Sequence, residues 1–141
     1  LYSSAASDVY KRQHQDRVGL IVFAGEPKVQ LPITSDYRMA RAFARRIDPS
    51  LVSVQGTAIG KALEQALLAF SGDTEQSHGR VIILITDGEN HEDDALAVAE
   101  RAARQGIRLF PCAVYALHHG IRNAGAVIVY AKRHTVFRYF D

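Results

Sequence analysis

Asp87 and Thr57 are the two residues of this sequence whose side chains and positions best suit chemistry. Asp87 comes directly after Thr86, which ends an apolar run over Val81–Ile85. An unbroken run of this kind predicts a strand buried on both faces of a parallel sheet, and such sheets place their chemistry beyond the carboxyl ends of their strands. Gly88 lets the backbone turn away sharply. The plain alternative is that the Asp-Gly pair is only a turn.

Thr57 stands in a predicted loop that leads into a helix over Ala58–Phe70, and Gly56 precedes it. Its commoner role would be to cap that helix. A hydroxyl and a carboxylate on neighbouring loops would also suit Mg²⁺ or Mn²⁺, hard cations that take oxygen ligands and only one or two protein carboxylates. The cation interpretation requires Thr57 and Asp87 to lie at one edge of a sheet.

The hydrophobic pattern predicts an α/β layered structure with right-handed crossovers. A first strand over Arg17–Gly25 leads through a hairpin into an edge strand, whose apolar residues alternate. Ser35 is the predicted N-cap of the next helix, and the apolar residues of that helix are predicted to face the core: Met39, Phe43 and Ile47. After Asp87 the pattern predicts a helix at about Glu92–Gln105 and a strand at Ile107–Val114.

Composition narrows the function classes. The chain has 141 residues, about one domain, and its net charge of +2 is too small to argue for nucleic acid. The basic cluster on the helix after Ser35 is explained by a solvated face; it comprises Arg38, Arg41, Arg45 and Arg46. Cys112 is the single cysteine, so no internal disulfide can form. No apolar run approaches the ~20 residues that span a bilayer, so we expect this chain to be soluble.

Four segments together resemble a von Willebrand factor type A (vWA) domain, and among these the bacterial aerotolerance-associated (Bat-type) membrane proteins. The segments are DRVGLIVFAG (Asp16–Gly25), LPITSD (Leu31–Asp36), QGTAIGKAL (Gln55–Leu63) and ILITDGENHEDDA (Ile83–Ala95). The resemblance implies a Rossmann-like three-layer fold, with a mostly parallel central sheet and helices on both faces. It also implies a protein-binding module, not an enzyme, that uses a metal-ion-dependent adhesion site to bind a partner carboxylate.

In the resembling family, that site is built from an Asp-x-Ser-x-Ser loop, a threonine loop and an aspartate loop. Thr57 matches the second loop and Asp87 the third, with Gly56 and Gly88 shaping them. The first loop is absent, and so is the central strand that precedes it, between the strands at Arg17–Ala24 and Val81–Thr86. We therefore expect metal binding to be weak or absent in this chain. We also expect the apolar run Ala124–Ala131 to occupy the vacant slot.

These observations divide the chain into three parts: residues 1–13 as a non-native, disordered leader, residues 14–114 as a partial vWA domain, and residues 115–141 as an atypical tail that looks frameshifted. The resemblance implies a parent anchored in a bacterial inner membrane, with the vWA domain outside the bilayer and the anchoring segments missing here. Two other interpretations stay open: an α/β enzyme or phospho-acceptor domain that uses Asp87, and a nonfunctional fragment.

Overall fold

The computed structural model describes residues 16–51, 53–72, 79–86, 94–113 and 125–132. They form one five-stranded sheet in the order β2-β1-β5-β3-β4, with three α-helices. The strands are β1 Arg17–Phe23, β2 Pro27–Thr34, β3 Gly79–Thr86, β4 Arg108–Ala113 and β5 Gly125–Lys132. The helices are α1 Tyr37–Ala44, α2 Ile59–Ser71 and α3 Ala95–Arg104, with a short 3₁₀ helix at Pro49–Leu51.

The predicted α/β class is confirmed, and β5 fills the slot of the missing central strand. It lies between β1 and β3 and is antiparallel to both, pairing Ile21 with Val127 on one side and Leu84 with Val127 on the other. The expectation that the run Ala124–Ala131 enters the sheet is therefore confirmed. By filling the slot, β5 pairs strand edges that would otherwise present unsatisfied backbone groups.

The sheet is mixed. β1, β3 and β4 run in one direction, as the resemblance implied, but β3–β4 is the one parallel pair of neighbours among the described strands. The reason lies in the connection to β5. Both the end of β4 and the start of β5 lie at the carboxyl edge of the sheet, the edge where β1 and β3 end, and a parallel return would need a crossover to the opposite edge.

The core lies between one face of the sheet and the helices α2 and α3. Ile21, Phe23, Ile82, Val127 and Val129 supply the sheet side of this cluster, and all are almost fully buried. The helix side consists of residues at helical spacing: Ile59, Ala62, Leu63, Ala66, Phe70, Val98 and Ala102. Helical spacing predicts six residues on the buried side of α2; five of them are buried, and the sixth, Leu67, is partly buried against the same cluster. The five are Ile59, Ala62, Leu63, Ala66 and Phe70.

Helix α1 differs from its prediction. Its N-cap is Asp36, not Ser35, and the Asp36 carboxylate accepts hydrogen bonds from the backbone N–H groups of Arg38 and Met39, both at 3.0 Å. The prediction that Met39, Phe43 and Ile47 face the core is wrong, because these side chains are 47%, 38% and 44% exposed. Their helical spacing indicates an amphipathic helix, but spacing does not determine which element covers its apolar side.

Two further boundaries differ from the predictions. Helix α3 begins at Ala95 with Asp94 as N-cap, and the Asp94 carboxylate accepts from the N–H of Ala97 at 3.2 Å. Strand β4 begins at Arg108 and continues through Pro111, although proline has no N–H to donate to a strand ladder. The proline is tolerated because β4 is the edge strand, where a missing N–H can face away from the ladder. Among the described residues, no helix has the length and apolar character to cross a bilayer.

Candidate functional site at the carboxyl edge

Thr57 lies in the segment that leads from the 3₁₀ helix into α2, and two backbone hydrogen bonds fix this segment to the end of β1. The N–H of Ala58 donates to the carbonyl of Ala24 at 2.8 Å, and the N–H of Gly25 donates to the carbonyl of Val54 at 2.9 Å. Thr57 itself is 2% exposed. The threonine is thus held at the carboxyl edge of the sheet.

Two glycines permit this close approach of backbones. A Cβ atom on Gly25 would lie 2.4 Å from the carbonyl oxygen of Gln55, so no side chain fits there. Gly56 has a φ of 131°, a conformation that glycine adopts readily and other residues rarely do. The backbone therefore demands glycine immediately before Thr57.

The plain interpretation of Thr57 as the helix cap does not hold. Helix α2 begins at Ile59, its N-cap position is Ala58, and no side chain makes a capping hydrogen bond. Thr57 is one residue too early for that role. Capping of α2 therefore does not explain why a threonine stands at position 57.

The second predicted site residue lies just past the described part of β3. This strand ends at Thr86, which is buried and pairs with Ala113 of β4. Because β1 and β3 run in the same direction with β5 between them, their carboxyl ends share one edge and stand roughly 10 Å apart, two strand spacings. Asp87 and Gly88 lie outside the described residues, so the convergence of Asp87 with Thr57 stays a prediction.

Lys61 is a residue of this edge that the sequence interpretation missed. It lies in the first turn of α2, four residues after Thr57, and its Nζ is 3.5 Å from the carbonyl oxygen of Gly25. The sequence pattern alone does not identify it, because Thr57 precedes the helix and the position of Lys61 depends on where α2 begins. An ammonium group at this edge attracts anions and opposes the binding of a cation.

The described side chains do not by themselves complete a magnesium site. Mg²⁺ requires six oxygens in near-octahedral array, including at least one carboxylate in most protein sites. Within residues 16–51, 53–72, 79–86, 94–113 and 125–132, no three His, Cys, Asp or Glu residues cluster as metal ligands. At this edge the Thr57 hydroxyl is one oxygen donor, and the Lys61 ammonium lies 3.5 Å from the Gly25 carbonyl oxygen.

The fold and sequence together define the family. The model of the von Willebrand factor type A domain matches residues 3–134, so the chain belongs to this family of protein-interaction modules. This match extends beyond the four segments, from Asp16 to Ala95, that carry the resemblance. A search of curated proteins found no match.

Two solved structures are similar to this chain. The conserved hypothetical protein BatB from Bacteroides thetaiotaomicron is 46% identical, with a TM-score of 0.67 over 78% of this chain and 55% of that one. An aerotolerance-related membrane protein from Bacteroides fragilis is 37% identical, with a TM-score of 0.65 over 84% of this chain and 64% of that one. The chain therefore spans less than two thirds of the length of either relative. The resemblance to Bat-type proteins is confirmed.

Proposed function

We propose that this chain is a protein-binding module whose partner docks at the carboxyl edge of the sheet, where β1 and β3 end. The observation that carries the proposal is Thr57, which is buried, fixed beside Ala24 and not used as a helix cap. A buried hydroxyl held at a sheet edge by glycine-dependent backbone contacts suits recognition better than folding alone. Membership in a family of protein-interaction modules also supports a protein-binding function.

In a longer parent protein, Thr57 and Asp87 would be two of the ligands of a Mg²⁺ or Mn²⁺ ion that holds a carboxylate of the partner. The bound cation would supply a site for a charge-assisted contact at a partly desolvated edge. This sequence contains no Asp-x-Ser-x-Ser loop, and the described donors do not fit the ion without further ligands. The same parent would be attached to a membrane, as the printed description of the Bacteroides fragilis relative suggests.

Cation titration tests the metal part of the proposal. Calorimetry of the 141-residue chain with Mg²⁺ and Mn²⁺ should give weak or no binding. A parent chain that carries the Asp-x-Ser-x-Ser loop should bind one ion and lose affinity on Thr57→Ala. A tight one-to-one site in the present chain would contradict the incomplete-site interpretation.

Photo-crosslinking tests the docking edge independently of any metal. A photoreactive residue is placed at Lys61, an exposed position at the carboxyl edge, and for comparison at Ser71, an exposed position at the other end of α2. We expect a reproducible protein adduct from position 61 that is missing from position 71 and is suppressed by Gly56→Val, which distorts the threonine segment. Equal adducts from both positions would contradict a partner site at this edge.

The alternative that Asp87 accepts a phosphoryl group has one observation in its favour, the presence of Lys61 at the same edge. A phosphoryl group on a carboxylate needs positive charge close by. Incubation with acetyl phosphate followed by intact-mass measurement separates the two functions. We expect no phosphoryl adduct, whereas an adduct lost in both Asp87→Asn and Lys61→Gln would favour the phospho-acceptor.

A further inference from the structure

Helix α1 differs from the other two helices in burying none of its residues. Helix α2 buries six residues and α3 buries two. The apolar side chains of Met39 and Phe43 on α1 are 47% and 38% exposed. Helix α1 contacts β1 and β2, and its other side lies in solvent, where it is available for a partner.

The charged side of α1 is a row of three arginines. Arg38, Arg41 and Arg45 follow one another at helical spacing on one side of the helix, with Tyr37 and Ala42 beside them, and the five residues line a groove of about 350 Å³. The row spans seven residues, or roughly 10 Å along the helix axis. We call this surface the arginine face.

The positive charge of the arginine face is not neutralised within the part of the chain that the structure describes. On α3, in contrast, Arg101 forms an ion pair with Glu64 at 2.9 Å, and Arg104 lies 3.9 Å from Glu100. The nearest acid in sequence to the row, Asp36, uses its carboxylate to cap the helix through the N–H groups of Arg38 and Met39. Among the described residues, the three arginines therefore present unneutralised positive charge along one side of α1.

We propose that the arginine face of α1 docks on the surface of a bilayer that contains anionic phospholipids. Guanidinium groups bind phosphate oxygens in bidentate fashion, and a bilayer presents many phosphates in a plane that a row of arginines can meet together. Each basic side chain near such a surface strengthens binding by about fivefold. Met39 and Phe43 lie on the opposite side of α1 from the row, so the attraction comes from the three arginines, whose spacing along the helix lets them meet several phosphates of one bilayer surface at once.

The placement of α1 leaves the carboxyl edge free during such docking. The hydroxyl of Tyr37 donates to the carbonyl of Asp16 at 2.9 Å, which fixes the start of α1 at the opposite edge of the sheet. Asp16 and Ala24 are eight residues apart along β1, or about 26 Å. Docking of α1 on lipid therefore does not depend on the proposed partner site at the carboxyl edge, and either proposal can be wrong while the other holds.

Vesicle binding by the full chain tests the proposal. Co-sedimentation is measured with phosphatidylcholine vesicles and with vesicles in which about a third of the lipid is phosphatidylglycerol. We expect binding to the anionic vesicles alone, falling as ionic strength rises because salt screens the attraction. The double substitution Arg41→Gln and Arg45→Gln should weaken that binding by about 25-fold, two factors of about fivefold.

The matched control is Arg101→Gln with Arg104→Gln, which removes the same charge from the exposed side of the last turn of α3. It should change vesicle binding by less than twofold, and Arg41→Lys with Arg45→Lys should retain most of it, since a charged bilayer accepts either cation. Thermal melts establish that each variant is folded. Absence of binding to anionic vesicles, or equal losses in the two glutamine variants, would overturn the proposal. Capture of soluble polyglutamate without vesicle binding would also overturn it, in favour of an acidic protein segment.

Discussion

The two faces of β3 are built from the same kinds of residue, but their surroundings differ. Ile82 and Leu84 point into the cluster formed with α2 and α3 and are buried. Val81, Ile83 and Ile85 alternate with them, lie on the other face and are only half buried. On the neighbouring strand β4, Leu109 packs against the core, while Phe110 is 49% exposed.

An apolar run shows that both faces of a strand can be buried, but it does not show which elements, if any, cover each face. Val81–Ile85 has an aliphatic residue at every position, which predicts a strand covered on both faces. At β1 both faces are covered, because Leu20 and Val22 are buried as well as Ile21 and Phe23. Helix α1 contacts β1 and β2 and shares no residue with the core cluster, so we place it on the second face there. The second face of β3 is more open.

The largest expected effect separates Ile82 from Ile83. Ile82→Ala removes a fully buried side chain from the α2–α3 side and should lower the free energy of unfolding by about 2–5 kcal/mol. Ile83→Ala, on the half-buried side, should lower it by about 1 kcal/mol. Urea denaturation followed by circular dichroism measures both values. Equal losses would mean that the second face of β3 is as well covered as the first.

On the edge strand β4, substitutions on the two faces are also expected to differ in their effect on stability, but by less than on β3. Leu109→Ala should lower the free energy of unfolding by about 1–2 kcal/mol, since this side chain is partly buried against the core. Phe110→Ser should stay within about 0.5 kcal/mol of the parent and should reduce self-association, because it removes an exposed aromatic from an edge strand. Light scattering together with denaturation would detect both changes. A large loss for Phe110→Ser would show that something covers this face in solution.

Much of the fold could be predicted from sequence, because local pattern and chain connectivity dictate it. The apolar runs at β1 and β3 and the stripe of α2 each identify an element by periodicity. The entry of β5 into the sheet followed from the physical demand of two strand edges that needed a partner. Its antiparallel direction was not predicted, since that depends on which edge the chain reaches after β4. The exposure of Met39 and Phe43 was missed because amphipathicity does not identify the covering element.

The candidate site was predictable only in part. Thr57 was singled out by its type and position, and the structure places it at the carboxyl edge, buried and free of the capping role. Lys61 was missed because its relation to the edge depends on where α2 begins relative to Ala24, a tertiary fact. Asp87 comes directly after Thr86 in the sequence but lies outside the described residues, so its convergence with Thr57 stays a prediction.

A smaller effect is expected where α1 is attached beside the second face. The Tyr37 hydroxyl donates to the backbone carbonyl of Asp16, and Tyr37→Phe removes this bond while keeping the ring. We expect a loss of about 0.5–1.5 kcal/mol in the free energy of unfolding. Hydrogen exchange should show faster exchange in α1 with α2 unchanged. If hydrogen exchange in α2 becomes faster to the same degree, then α1 is coupled to the α2–α3 side of the sheet, contrary to the view that the two faces are covered separately.

The smallest expected effect lies in the connection from α1 to the threonine segment. Hydrogen bonds from the side chain and the backbone N–H of Ser50 hold the pKa of the Asp48 carboxyl below its ordinary value, and Asp48 is fully exposed. A carboxyl whose pKa is lowered by folding stabilises the native state above its unfolded pKa, and that stabilisation is lost as the pH falls through its folded pKa. Ser50→Ala should therefore raise the pKa of Asp48 towards its ordinary value and flatten the acid limb of stability slightly. NMR titration of Asp48 measures the shift, with Ser71→Ala as the control, because Ser71 bonds to the carbonyl of Leu68 and not to a carboxylate. An unchanged pKa in Ser50→Ala would mean that the Ser50 hydroxyl makes no hydrogen bond to the Asp48 carboxylate in solution.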